Sequence, residues 1–540
     1  MHARRTALLA FVLTFVVLVA NFRAIGSGDT NAMEQTAAAL AQHGSFVVEN
    51  GEPHDPFTRA APGGRVSIYP PLSAILAAPL FWLFGLLFDL NLNGLQVAGK
   101  LSAALLSASA VAVMAWSFAR RVSAPRALGS ALLFALGTSV YSTAQALWQH
   151  PAVLLFMTIA IAALERVSAV EPAQGFRAAL IAALCLSLAA ATRPACIPMC
   201  GILFVFLLHR NRARAGTLWI TAAVPAVAVA CYNNAFFGAP WRFGQGVGGR
   251  FFGSFPESIA GLLVSPARGL VILTPIALVA GAALWRAARG SAFARGLLAS
   301  VVAHFSFIAL WNEWHGGESF GPRLLTDLLP ALFFFLPEGL AAWPAIGAVT
   351  GALSIGIQLL GGWTYDYRWE RLHQRGREFD QALWSWRESP IVFAIREGVV
   401  IQGRPDLIGR RARLLTRRFV PFGPQGSSIE ASASGLQISG NPRLRDIRLE
   451  RGARADRGAL WLAHPADALA FRPESDGPLK LHLTGFLRGV LRTESREGVT
   501  THPMDGDFNL YLEMNLPGGE DVFVRAERGE LKLRRLEIQP

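Results

Sequence analysis

Several residue groups in this 540-residue chain have types and spacing that could do chemistry, and all of them lie beside apolar runs. Gly26-Ser-Gly-Asp29 follows the first run. A carboxylate there faces water yet borders a low-dielectric slab, so it can act as a general base on a hydroxyl within reach. The same residue can equally serve the start of a helix over Asn31–His43, in the manner of an N-cap. Glu34, five residues on, reads as a solvated helix face. Ile68-Tyr-Pro-Pro-Leu72 opens another apolar helix. Proline is ordinary at a helix start, where its missing N–H would have been unpaired. If that helix walls a cavity, Tyr69 stands at its mouth.

Trp148-Gln-His150 lies at a turn between two apolar runs. A histidine there can bind phosphate or carry a proton, or it can be a structural residue. Arg193-Pro194 interrupts an apolar stretch. An arginine near bilayer depth is costly and points to a ligand or ion partner, while snorkelling to the headgroups is the plain alternative. The densest cluster is Trp311-Asn-Glu-Trp-His-Gly-Gly-Glu-Ser-Phe-Gly-Pro-Arg323, which gathers Trp314, His315, Glu318 and Arg323. Its glycines allow tight turns and close backbone approach. His315 and Glu318 have the spacing of two metal ligands, but no third is evident, so neither a metal nor another cofactor is indicated. Arg323 begins an apolar run, where a guanidinium is well suited to a lipid phosphate.

The elements that must position these residues are membrane helices. Hydrophobic residues make up 52% of the chain and charged residues only 16%, against roughly 25% charged in soluble domains. Mean hydropathy is +0.36. Cysteines number only 4, all in the apolar part, so a disulfide framework is excluded. The net charge of +13 would suggest nucleic acid in a soluble protein, but here it divides. Residues 1–363 hold 22 Lys and Arg against 13 Asp and Glu, and the remaining third holds 28 against 24. A span needs about 20 apolar residues. On that basis about eleven transmembrane helices are expected, near 6–22, 97–118, 127–147, 151–168, 178–193, 194–209, 216–232, 268–286, 296–311, 323–338 and 341–361. The first follows a short basic start and lacks a clear cleavage site, so it reads as an uncleaved span.

Pro70–Phe88 is also apolar. If it is re-entrant or interfacial, Arg4/Arg5, Arg120/Arg121/Arg126, Arg166/Arg177, Arg210/Arg212/Arg214 and Arg286/Arg289/Arg295 all fall in inside loops, as the positive-inside rule requires. The N-terminus is then cytoplasmic and the C-terminus outside. The basic charge becomes a topology signal, which removes the nucleic-acid reading. Three regions are expected: a transmembrane domain over 1–363 with a long first outer loop at 23–96, a juxtamembrane helix and basic linker over 364–426, and a domain over 427–540. Period-two runs such as Leu479-Lys-Leu-His-Leu and Phe508-Asn-Leu-Tyr-Leu, with turns expected at Pro517-Gly-Gly and Arg528-Gly, predict that this last domain is all-β and sandwich-like. The fold class is thus a polytopic α-helical membrane protein with a C-terminal β-domain.

Taken in order, these motifs resemble the GT-C superfamily of integral-membrane glycosyltransferases, most closely the bacterial relatives of protein O-mannosyltransferases (family 39-like). The features are Gly28-Asp29 after the first span, Tyr69-Pro-Pro-Leu72, Trp148-Gln-His150, Thr192-Arg-Pro194, Ser265-Pro-Ala-Arg-Gly269, Trp314-His-Gly-Gly and Gly321-Pro-Arg323, within about 1–365. The resemblance implies that Asp29 is the catalytic base of an inverting transfer from a polyprenyl-phosphate sugar donor. Arg323, Arg193 and His315 would hold the donor phosphate, and Tyr69, His150, Trp314 and Glu318 would line the substrate cavity. Many relatives carry a second acidic residue near the second outer loop. Ala146-Leu-Trp-Gln-His-Pro151 has none, so His150 would substitute or that role would be absent. The implied partners are the lipid-linked donor, a glycan, lipid or protein acceptor, and membrane lipids. The implied location is a bacterial inner membrane with a periplasmic tail. Two other readings stand beside this one: a lipid or lipid-linked sugar transporter or flippase, and an envelope assembly protein working through its C-terminal β-domain.

Overall fold

A computed structural model describes residues 2–397 apart from short breaks at 22, 24, 26, 49–54, 89, 91, 246–250, 252–254, 366–367 and 374–376, together with strand segments within 427–539. The basic linker expected over Arg404–Arg418 lies outside the described residues. The chain divides into two compact units, Met1–Arg410 and Arg411–Pro540.

The first unit is helical. In chain order it contains α1 (His2–Val19), α2 (Gly28–His43), α3 (Leu72–Leu87), α4 (Leu92–Phe118), α5 (Ala124–Leu136), α6 (Ser139–Thr143), α7 (His150–Ala169), α8 (Phe176–Thr192), α9 (Ile197–Arg210), α10 (Ala215–Phe237), α11 (Phe255–Val264), α12 (Leu270–Leu273), α13 (Ala277–Gly290), α14 (Ala292–Ala309), α15 (Leu329–Leu332), α16 (Leu336–Ala342), α17 (Pro344–Thr364), α18 (Arg368–His373), α19 (Arg377–Trp384) and α20 (Pro390–Glu397). Among the described residues, six helices are long and apolar enough to cross a membrane: His2–Val19, Gly94–Phe118, His150–Ala169, Arg212–Phe237, Ala292–Ala309 and Pro344–Thr364. A seventh is reached if Arg323–Leu332 and Leu336–Ala342, bent by 73° at the break between them, form one span. The chain is therefore a multi-pass helical membrane protein.

The other expected spans are helical but short or broken. α5 has 13 residues and α8 has 17, and the run at 268–286 divides into α12 and α13 around Thr274-Pro275. Proline lacks the N–H that would continue a helix. α3 has 16 residues, about 24 Å at 1.5 Å per residue, short of a core about 30 Å thick.

Within the bundle α4 packs against α1 and α7, α7 against α8, and α9 against α14. One end is fastened by Arg121. It bridges Glu165 at 3.3 Å, also pairs with Glu338, and donates to the Phe334 carbonyl at 2.6 Å. The opposite end holds a buried polar knot where α1 stops. Asn21 Nδ2 donates to Gln145 Oε1 at 2.7 Å and to the Gly362 carbonyl at 2.8 Å, and Lys100 Nζ donates to Asn21 Oδ1 and to the Arg23 carbonyl. Arg23 Nη2 donates to the Tyr365 carbonyl at 2.8 Å. Buried polar groups need such partners, and these fix the segment that leads to Asp29.

The close approach at Gly362 depends on its missing side chain, since a Cβ there would fall on the Tyr141 ring. We expect Gly362→Ala to cost about 1–3 kcal/mol through overpacking. A thermal-unfolding midpoint equal to wild type would contradict this.

Between α2 and α3 a small antiparallel sheet forms, in the order β1 (Val47–Val48), β3 (Gly64–Ser67), β2 (Thr58–Ala61). In the second unit, strand segments β4 (Ser427–Ser432), β5 (Gly435–Ser439), β6 (Leu444–Glu450), β7 (Arg454–Asp456), β8 (Ala459–Leu462), β9 (Ala468–Pro473), β10 (Gly477–Ser495), β11 (Gly498–Leu516) and β12 (Val522–Gln539) are placed with antiparallel pairing. β12 runs on through Arg528-Gly529, where the sequence suggests a turn. The turn expected at Pro517-Gly-Gly and the side-chain packing of a sandwich lie outside the described residues.

Candidate functional site

Ser27 caps α2. Its hydroxyl accepts from the Thr30 N–H and the Thr30 hydroxyl accepts from the Ser27 N–H at 2.8 Å, a reciprocal capping box. Asp29 therefore sits in the first turn, where a negative charge complements the helix dipole, and is not itself the cap. Its carboxylate is held on three sides. Ser27 Oγ donates to Oδ1, Trp148 Nε1 donates to Oδ1 at 3.2 Å, and Arg323 Nη1 bridges Oδ2 at 2.8 Å. Burial by itself would raise the Asp29 pKa. The Arg323 charge and the hydrogen bonds from Ser27, Arg323 and Trp148 outweigh it and hold the group below its ordinary value. Asp29 keeps 18% of its side-chain surface, so the carboxylate is charged and still reachable.

Arg323 opens a short 3-10 helix, Arg323–Leu328, that leads into α15. A 3-10 turn takes about three residues. Thr326 therefore lies beneath Arg323, and Asp327 points about a third of a turn away. The segment thus aims its two charges at different neighbours. Arg323 Nη2 also donates to the Gly316 carbonyl at 2.7 Å, and its guanidinium lies 5.4 Å from the centre of the Trp148 ring. Asp327 is fully buried and takes Arg193 Nη1 at 2.7 Å on Oδ2 and His150 Nδ1 at 2.8 Å on Oδ1. Arg193 Nη1 is 2.8 Å from His150 Nδ1 and 3.0 Å from Nε2. One tautomer satisfies all three groups, with Nδ1–H donating to Asp327 and Nε2 accepting from Arg193. His304 Nε2 lies 3.9 Å from Asp327 Oδ2.

Asp29 and Arg323 of the first pair and Arg193 of the second, with Asp327 buried behind Arg193, face one cavity of about 190 Å³. Asp29, Tyr69, Trp148, His150, Arg193 and Arg323 line it, with Gln149, Gln245, Trp311 and several apolar residues. The Tyr69 phenol hydrogen-bonds the Gln245 side chain, and burial and the Asp29 charge push its pKa up, so it remains a neutral donor. With one carboxylate to each guanidinium, the buried charges balance, as burial demands.

The structure thus brings together five residues expected from the sequence, Asp29, Tyr69, His150, Arg193 and Arg323, and leaves three outside. Trp314 is buried elsewhere, its ring occupying the space left by Gly261. His315 Nδ1 accepts from the Gly317 N–H at 3.2 Å, and its ring packs edge-on to Phe379 at 4.9 Å. Glu318 is exposed. The cause lies at Gly316 and Gly317, whose φ angles of +77° and +66° turn the chain away. The cluster therefore delivers its two ends, Trp311 and Arg323, to the cavity, and of its charged residues only Arg323. Among the described residues no group of three or more His, Cys, Asp or Glu could hold a metal ion.

Two acidic residues are not evident from sequence patterns. Asp327 hides in Leu324-Leu-Thr-Asp-Leu-Leu, where the apolar pattern suggests an unbroken span. A lone carboxylate in such a run is the signal that marks it. Glu34, expected on a solvated face, is fully buried. Its carboxylate lies against Gly99 of α4, and burial pushes its pKa well up. The neighbouring Met33, Ala37 and Ala38 mark that face as packed. No protein-family model matches the chain, and no curated protein matches it.

Proposed function

We propose that the protein is a membrane glycosyltransferase of the GT-C type, moving a sugar from a polyprenyl-phosphate donor to an acceptor hydroxyl. The observation that carries this reading is one cavity lined by a charged carboxylate, Asp29, and by two guanidiniums, the largely buried Arg323 and the buried Arg193. A hydroxyl nucleophile needs a proton acceptor, and a departing phosphate needs fixed positive charge. The cavity has room for about six waters at roughly 30 Å³ each, the scale of one sugar ring.

In the proposed reaction the acceptor oxygen attacks the anomeric carbon and its proton passes to Asp29. The bond from that carbon to the phosphate oxygen breaks, and the donor phosphodiester leaves as a monoester carrying one more negative charge. Arg323 and Arg193 stabilise that charge more in the transition state than in the ground state, which is what accelerates a reaction. Tyr69 and His150 offer donors and acceptors to the sugar hydroxyls. In this reading Asp327 supplies a second carboxylate, acting through Arg193 and His150 from beneath the cavity.

The topology belongs to the same proposal. The chain crosses a bacterial inner membrane about eleven times, its shorter helices included, with the N-terminus cytoplasmic. The cavity faces the periplasm, and residues 427–540 form a periplasmic β-domain.

Reconstitution tests the reading. Purified protein in liposomes containing a polyprenyl-phosphate-linked sugar should move that sugar onto a soluble acceptor, read by mass spectrometry. Passage of the lipid between leaflets with no transfer would favour a flippase and overturn it.

A further inference from the structure

Outside the cavity a further buried guanidinium grips the loop that Arg323 depends on. Arg268 follows α11 in a turn made by Ser265, whose Oγ accepts from the Ala267 and Arg268 N–H groups at 3.1 Å each. The Arg268 side chain is fully buried. Its Nε donates to the His315 carbonyl at 3.1 Å, and Nη2 donates to the Gly317 carbonyl at 3.0 Å and to Glu370 Oε1 at 2.7 Å. The intervening carbonyl, Gly316, accepts from Arg323 Nη2 at 2.7 Å. Three successive carbonyls are therefore held alternately by two arginines. The left-handed φ angles of Gly316 and Gly317 make that alternation possible.

Glu370 lies on α18, beyond the last long apolar helix, and its side chain is 7% exposed. It is the only charged partner of Arg268 among the described residues. The neighbouring Trp369 ring lies 5.0 Å from the guanidinium, and Trp369 Nε1 donates to the Glu388 carbonyl. The same stretch is fastened a second time where Ser265 Oγ donates to the Leu383 carbonyl at 2.6 Å. The segment after the last span is thus built into the back of the site.

We propose that Glu370 and Arg268 are positioning residues for Arg323. Glu370 holds Arg268, Arg268 holds the His315 and Gly317 carbonyls, and the Gly316 carbonyl between them holds Arg323 against Asp29 and toward the cavity. Neither residue touches the reacting atoms. The consequence for donor binding rests on the reading of Arg323 as a phosphate ligand, whereas the positioning itself does not.

The test uses the intact protein in detergent and an arginine-selective dicarbonyl reagent, with labelling rates at Arg323 and Arg193 read by peptide mass spectrometry. Arg193 is the internal control, because Asp327 and His150 hold it independently of the 315–317 loop. Glu370→Gln should raise labelling at Arg323 severalfold and leave Arg193 unchanged. Arg268→Lys, which keeps the charge but loses the fork, should do the same and serves if Glu370→Gln does not fold. Unchanged labelling at Arg323, or equal acceleration at both arginines, would overturn the proposal. Binding of polyprenyl phosphate is then measured in the same proteins. If Arg323→Ala binds it as well as wild type does, the phosphate reading fails while the labelling result still decides the positioning.

Discussion

Asp29→Asn is expected to abolish sugar transfer while the protein remains folded in the membrane. The predicted loss is about 10²–10⁴-fold, the usual contribution of a positioned general base. Asparagine keeps a side-chain oxygen to accept from Trp148 and Ser27 but cannot take a proton at neutral pH. Transfer from a polyprenyl-phosphate sugar by purified protein in liposomes is the measurement, and wild-type turnover would remove Asp29 from the chemistry. The pH dependence follows from the same contacts. Burial raises the Asp29 pKa, but Arg323 and the three hydrogen bonds lower it further, so the net value is depressed. The charged base then persists into mild acid, and the rate falls only as pH drops through that depressed value. The stability that the ion pair supplies has the same sense, fully present above the unfolded-state pKa and lost as pH falls through the folded one. Arg323→Ala removes the opposing charge and leaves burial dominant, so the acid limb of the rate profile should move to higher pH. An acid limb that stays in place would show that Arg323 does not set the ionisation of Asp29.

The second large effect is expected at Asp327. It is fully buried and joins Arg193 to His150 at 2.7 and 2.8 Å. Asp327→Ala leaves a buried guanidinium without its counter-charge, and breaking a buried pair from one side costs about 3–5 kcal/mol. The thermal-unfolding midpoint should fall accordingly. Asp327→Asn keeps an oxygen acceptor and should recover part of the loss. Arg193→Met in the Asp327→Asn background removes the stranded charge as well and should recover more. If Asp327→Ala unfolds at the wild-type midpoint, the cluster is not a structural ion pair.

The membrane architecture is legible in the sequence because crossing a bilayer imposes a length and an apolar composition that no packing detail can hide. The same cost makes polar residues at the edges of apolar runs visible. That is why Asp29, Tyr69, His150, Arg193 and Arg323 stand out in the amino-acid sequence, and why a cavity near one end of the bundle is expected from it. Their partners are not legible there. Asp29 and Arg323 are 294 positions apart, and their meeting depends on how the helices pack. Glu34 and Asp327 are hidden for a related reason, since only neighbouring helices reveal that one is buried and the other paired. The Trp311–Arg323 cluster misleads in the opposite direction. Proximity in sequence suggests that Trp314, His315, Glu318 and Arg323 act together. Two glycines with left-handed backbones turn the chain between them, so of these four only Arg323 reaches the cavity. The chain by itself determined which residues are costly to place in a membrane. The tertiary structure decided which of them offset one another's charge, because a buried ion pair is satisfied only by the group that helix packing brings within about 3 Å.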